Sequence, residues 1–193
     1  MFPVIKKEWD MARISSVPFV DVPDSLKNVM HAYDDELGGS EFVQVFSHAP
    51  EIYKSFVDYY FSLVLETRGA ISGELTELVR LMVAKHNDCF LWIHARLAVA
   101  RQEGLTEEKI AAIGDYVDSK MFTQAEKSAL QYAEAIAGDM SNASDKLFDI
   151  LRQHFTESEI IDLGMRIQTF VGYGRLIRVL DLEVGKSCPL WEY

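Results

Sequence analysis

From residue 41 onward, apolar residues recur at three- and four-residue spacings, and no run alternates convincingly at period two. In the stretch "GELTELVRLMVAKH" (73–86), Leu75, Leu78, Val79, Met82 and Val83 fall on one stripe, as in a helix that lays one face on a core. The same reading predicts helices over 50–67, 73–86, 89–103, 106–117, 123–137, 144–154 and 156–182. Residues 1–38 break the pattern. Pro3, Pro18 and Pro23 punctuate them, one short helix fits near 24–33, and "DDELGGS" (34–40) closes them with a loop signal. The expected fold class is all-α, a helical bundle. Its expected organisation is an N-terminal arm (1–38), a helical domain (39–183) and a C-terminal tail (184–193).

Several helix ends are written in the chain. Thr123 with Glu126, and Thr156 with Glu159, have the capping-box form, in which two side chains satisfy the orphan N–H groups of a first turn. Thr106 is followed by Glu107 and Glu108, acids where the helix dipole favours them. Gly104 stands where a helix ends in a left-handed residue.

Composition narrows the function classes. The chain has 193 residues, enough for one domain with a substantial core, and its hydrophobic share of 49% fits a globular protein without a membrane-length apolar run. A net charge of -11 opposes nucleic acid and anionic membrane as partners, since both need a basic surface. The N-terminus shows no signal-peptide pattern, so the expected location is the cytoplasm. Cys89 and Cys188 make neither a disulfide framework nor a zinc-site spacing, and no metal, haem or flavin is indicated. No cofactor is expected.

The chemistry gathers around "NDCFLWIH" (87–94). With Asn87 or Asp88 as N-cap, Cys89 enters the first turn of its helix, where free N–H groups stabilise a thiolate. Asp88 and the apolar "FLWI" pull the other way, towards a buried packing cysteine. Both readings of Cys89 stand. Trp92 and Arg96 share its helix face at i+3 and i+7, an indole wall and a guanidinium suited to a small anionic or apolar substrate. The bland alternative is a core Trp and a surface Arg. His94, five residues on, lies about 140° around the axis from Cys89. It is a candidate acid or base, or a core histidine. His86, three residues before Cys89, is a second candidate. Glu77 sits at the edge of its helix's apolar stripe, either in a helix–helix crevice or exposed beside Arg80. Arg175, in "VGYGRLIR" (171–178), is a candidate carboxylate anchor or an ordinary helix-surface arginine.

The segment "SGELTELVRLMVAKHNDCFLWIHARLAVARQEGLTEEKIAAI" resembles the core of the carboxymuconolactone decarboxylase and alkylhydroperoxidase D (AhpD)-like superfamily. There a glutamate precedes a Cys-x-x-Cys by about a dozen residues, a histidine follows four further on, and a Gly-Leu-(Ser/Thr)-Glu-Glu turn opens the next helix. Glu77, Cys89 and "GLTEEKI" fall in that register, and the likeness runs over roughly 40–182. The position of the second motif cysteine is Trp92 and that of the motif histidine is Arg96. The resemblance implies an AhpD-like helical bundle, a homo-oligomer (trimer or hexamer) and a small-molecule substrate. Since the cysteine that attacks peroxide in that mechanism is the second one, the Cys-x-x-Cys peroxidase reaction is not expected. The first reading is therefore decarboxylase-like acid–base chemistry on a small carboxylate- or carbonyl-bearing molecule, with Glu77 as base, His94 or His86 as its partner and Arg96 as clamp. The second is a hydroperoxidase that uses Cys89 alone, resolved by an external thiol or by Cys188. The third is a non-catalytic binding scaffold.

Overall fold

The computed structural model describes residues 12–37, 39–66 and 68–182, and its regular secondary structure there is helical throughout. In chain order the α-helices are α1 (Asp24–Leu37), α2 (Val43–Phe46), α3 (Pro50–Val64), α4 (Gly73–His86), α5 (Phe90–His94), α6 (Ala98–Gln102), α7 (Glu107–Ala111), α8 (Gln124–Ala137), α9 (Asp145–Leu151) and α10 (Glu157–Val179). Short 3-10 turns supplement them. Cys188 and the tail after residue 183 lie outside the described residues.

Two compact units divide the chain: residues 60–175, and residues 1–59 together with 176–193. The second is built on aromatic packing. Tyr33 meets Phe42 edge-on at 4.9 Å between centroids, and Phe46 stacks on Tyr53 at 4.4 Å. Its N-terminal strand of irregular chain is tied down by backbone bonds, Val17 N–H to Gln44 C=O and Arg13 N–H to Leu180 C=O.

The unit 60–175 is organised around α4, which packs against α5, α6 and α8. Ser72 caps α4 by accepting from the Leu75 N–H at 3.1 Å, and Lys85 and His86 occupy the last turn, where the dipole favours cations. Beyond its expected stripe, α4 is buried on nearly every side: Thr76, Glu77, Arg80, Leu81 and Ala84 are covered as well. A helix so enclosed must satisfy its polar side chains internally. Both expected capping boxes form. Thr123 and Glu126 exchange hydrogen bonds at the start of α8, and Thr156 and Glu159 do so at the start of α10.

The buried Arg166 of α10 fastens a connection in the same unit. It donates to the Leu63 carbonyl at 2.6 Å, to Thr76 Oγ1 at 3.0 Å and to the Arg68 carbonyl, and pairs with Asp162 at 2.9 Å. Gly69, at φ 99°, lets that loop pass; a Cβ there would fall 2.2 Å from Asp162 Oδ2.

The helix expected over 89–103 is broken. It runs as α5 and α6, with 95–97 non-helical between them and Leu97 extended. In an unbroken helix the Trp92 carbonyl would accept from the Arg96 N–H, the Ala95 carbonyl from Val99, and the Leu97 N–H would donate to Ile93. Side chains of α4 take those roles instead. Arg80 donates to the carbonyls of Trp92 at 3.0 Å and Ala95 at 2.8 Å, and Glu77 accepts from the Leu97 N–H at 3.2 Å. Local periodicity cannot reveal such a break, because the partners stand on another helix.

Candidate active site

Glu77 and Arg80 stand one turn apart on α4 and form a bidentate pair. Nε of Arg80 donates to Oε2 at 2.6 Å and Nη2 to Oε1 at 2.8 Å, with the side chains 0% and 2% exposed. Burial alone would lower the Arg80 pKa. The charge and hydrogen bond of Glu77, with smaller attractions from Tyr60 and Cys89, together offset it, and the guanidinium ends above its ordinary value. Arg80 is therefore a fixed cation.

Cys89 is held by the turn that ends α4. Asp88 takes a left-handed conformation (φ 48°), and the Cys89 N–H reaches back to the Ala84 carbonyl at 3.0 Å, the six-to-one bond of a Schellman ending. The Cys89 carbonyl then accepts from the N–H groups of Trp92 and Ile93, so Cys89 caps α5 rather than entering its first turn. Its side chain is buried. Helix α5 has only five residues and a correspondingly small dipole.

Over this polar cluster lies an aromatic wall. Trp92, buried, stacks on Tyr60 (centroids 6.0 Å, 21° between planes) and meets Phe170 and Tyr173 edge-on at 5.9 and 5.4 Å. The Arg80 guanidinium sits 5.9 Å from the Trp92 ring centroid, within cation–π range. Gly174 keeps the wall closed: a Cβ there would stand 2.8 Å from Asn87 Nδ2 and 3.5 Å from the Trp92 ring.

The structure thus brings Glu77, Cys89 and Trp92 into one neighbourhood, around an arginine that sequence reasoning treated only as a surface partner. Arg96, Arg175 and His86 face elsewhere. Arg96 follows the break, so it does not share a helix face with Cys89. It binds Glu107 through Nε at 3.1 Å and the Ile93 carbonyl through Nη1 at 2.7 Å. Arg175 donates to Asn87 Oδ1 at 3.2 Å and to the Ala137 carbonyl at 2.7 Å, and Asn87 donates in turn to the Val171 carbonyl at 3.3 Å. Arg175 therefore buttresses the turn before Cys89. His86 is exposed, with its ring against Gly138 at the end of α8. His94 ends α5, half-buried. Arg80, Tyr60 and Tyr173 were missed. A signal for Arg80 was present: in "ELVRLMVA" a charged pair at i and i+3 sits inside an otherwise apolar run. Among the described residues, no group of three or more His, Cys, Asp or Glu is placed to hold a metal, and no helix is long and apolar enough to cross a membrane.

Helix order and site agree with a sequence match: residues 50–135 match the model of the carboxymuconolactone decarboxylase family, and the fold is shared with AhpD-like proteins. Among individual proteins, the chain is 26% identical over 138 residues to the uncharacterized protein YdfG of Bacillus subtilis (strain 168), covering 71% of this chain and 92% of that one. Its fold is that of the debrominase Bmp8, solved as a cysteine-to-alanine variant with 2,3,4-tribromopyrrole (TM-score 0.77, 16% identity, 90% of this chain and 92% of that chain). A peroxidase-related protein from Ralstonia eutropha JMP134 with an AhpD core shares the fold as well (TM-score 0.74, 18% identity, 93% and 94% covered).

Proposed function

We propose that the protein is a small-molecule enzyme whose reactive group is Cys89, activated by Arg80. The observation that carries this reading is the placement of Cys89, buried at the turn between α4 and α5, in the neighbourhood of the Glu77–Arg80 pair and an aromatic wall. A thiolate there accepts an electrophilic heteroatom from the substrate, an oxygen from a hydroperoxide or a bromine from an electron-rich bromoarene. In the first case Cys–S⁻ and ROOH give Cys–SOH and RO⁻, which takes a proton from solvent. In the second, the sulfur takes bromine and the ring carbon takes a proton. Two equivalents of an external thiol complete either cycle: the first displaces water or bromide to form a mixed disulfide, and the second releases Cys89 and the oxidised thiol. The aromatic lining and the already neutralised cation favour an uncharged, apolar substrate. The debrominase and AhpD-core neighbours lend this reading support at the level of fold only. Access to the buried sulfur requires local opening of α5, a short helix tied at its C-terminal side by Arg80.

One observation favours acid–base chemistry as a second reading. Oε2 of Glu77 accepts a single hydrogen bond, which leaves a lone pair for a proton. Both readings are separated by one assay. Peroxide consumption from cumene hydroperoxide and bromide release from 2,3,4-tribromopyrrole, with dithiothreitol as reductant, should fall at least a hundredfold in Cys89→Ser. Turnover that survives Cys89→Ser but is lost in Glu77→Gln would replace the cysteine reading with the acid–base one. The homotrimer or hexamer implied by the superfamily belongs to the same proposal, and sedimentation of a monodisperse monomer at micromolar concentration would remove it.

A further inference from the structure

A second place in the unit 60–175 has the character of a binding site. A cleft of about 720 Å³, within the range of small-molecule sites, opens along one face of α8. Lys127, Gln131 and Glu134 follow one another there at four- and three-residue spacing with Ser128 beside Lys127, and Tyr116 and Asn142 stand among the residues that close it. Its floor is organised. The Tyr116 side chain is buried, and its hydroxyl donates to Glu134 Oε2 at 2.6 Å. Burial first, and then the Glu134 carboxylate, push the Tyr116 phenol well above its ordinary value, so the hydroxyl keeps its proton and the carboxylate is fixed in place.

The charges are what set this cleft apart. Glu134 is half-buried, and its partner is a neutral hydroxyl; among the described residues it has no cation. Lys127 is also half-buried, and it donates to the Val117 carbonyl at 2.6 Å; among the described residues it has no anion. Elsewhere in the unit, partly covered charges are paired, as Lys109 is with Glu74 at 2.8 Å and Glu126 at 2.6 Å. Glu134 and Lys127 stand two turns apart, about 10 Å along the helix axis. Neutral amide and hydroxyl groups lie between them. A single carboxylate is too few ligands for a divalent cation, which needs several oxygens. We infer that this cleft binds a small organic zwitterion, its ammonium group on Glu134 and its carboxylate on Lys127, lying along Ser128 and Gln131.

The test is calorimetric titration of the full chain with 6-aminohexanoate, against hexylamine and hexanoate, which each keep one charge. The zwitterion should bind saturably, with each single-charge probe about tenfold weaker or worse, the effect of losing one charge-assisted hydrogen bond. Glu134→Gln should bring 6-aminohexanoate down to the affinity of hexanoate, and Lys127→Met to that of hexylamine. Should either variant misfold, 6-aminohexanoate should still shift the Gln131 and Asn142 side-chain amide signals of the unaltered protein. No saturable binding, equal binding of the three probes, full affinity in folded variants, or unmoved amide signals would each overturn the inference.

Discussion

Helices α4 and α8 are both 14 residues long, both begin with a hydroxyl N-cap, and they pack on one another. Each carries a glutamate in a decisive place. On α4, Glu77 is enclosed, and an arginine on the next turn and a backbone N–H satisfy it. On α8, Glu134 faces a cleft and is met by one phenol. The difference follows from what water can reach. A carboxylate sealed from solvent costs several kcal/mol unless it is paired and fully hydrogen-bonded. One at the edge of water tolerates a neutral partner and keeps its charge available to a ligand. The α4 pair has been drawn into architecture that positions a cysteine, whereas the α8 carboxylate is left free to recognise.

The largest expected effect tests the sealed side. Arg80→Ala leaves the Glu77 carboxylate buried without its cation and frees the Trp92 and Ala95 carbonyls, so it should cost about 3–5 kcal/mol. Calorimetry should then show a midpoint lower by roughly 6–20 °C. Replacing both partners (Glu77→Leu with Arg80→Met) should cost less than the single change, because no charge is stranded; a double variant worse than Arg80→Ala would mean that the pair is itself a net source of stability.

Next comes the cap of α8. Thr123→Ala removes the hydroxyl half of the capping box and should cost about 1 kcal/mol, a midpoint shift of roughly 2–4 °C. At the open end of the same helix, Glu134→Gln should stay within about 0.5 kcal/mol of the unaltered protein in urea unfolding, since the amide oxygen still accepts from Tyr116. A loss approaching that of Arg80→Ala would erase the contrast between the two helices.

The smallest effect lies at acid pH. Glu159 caps α10, and the Thr156 N–H, followed by the Thr156 hydroxyl, holds its carboxyl below the ordinary value of 4.5. A carboxyl whose folded value is depressed adds stability above its unfolded value and loses it as pH falls through the folded one. The midpoint should therefore decline between roughly pH 5 and pH 3, and Glu159→Gln should shallow that decline. An identical decline in the variant would mean that other carboxylates carry it.

Much of this architecture could be read from residue order because it is local. The stripe of α4, the capping boxes at Thr123 and Thr156, and the left-handed Gly104 at φ 105° each depend on residues within one or two turns. The all-α class followed from the same short-range pattern, and the spacing from Glu77 to Cys89 with the GLTEEKI turn carried the family resemblance. The site resisted because its determinants are distant in sequence. Whether Glu77 meets solvent or an arginine depends on what covers α4. Whether 89–103 is one helix or two depends on whether Arg80 and Glu77 reach the backbone of 92–97. The aromatic wall joins Tyr60, Trp92 and Tyr173, the first and last more than a hundred residues apart. By itself, the sequence determined helices, caps and a family resemblance, since hydrogen-bond periodicity and side-chain spacing act over a few residues. Only the tertiary structure decided which charges are buried, which backbone groups they satisfy and which remain open to a ligand, because desolvation is a property of everything packed around a group.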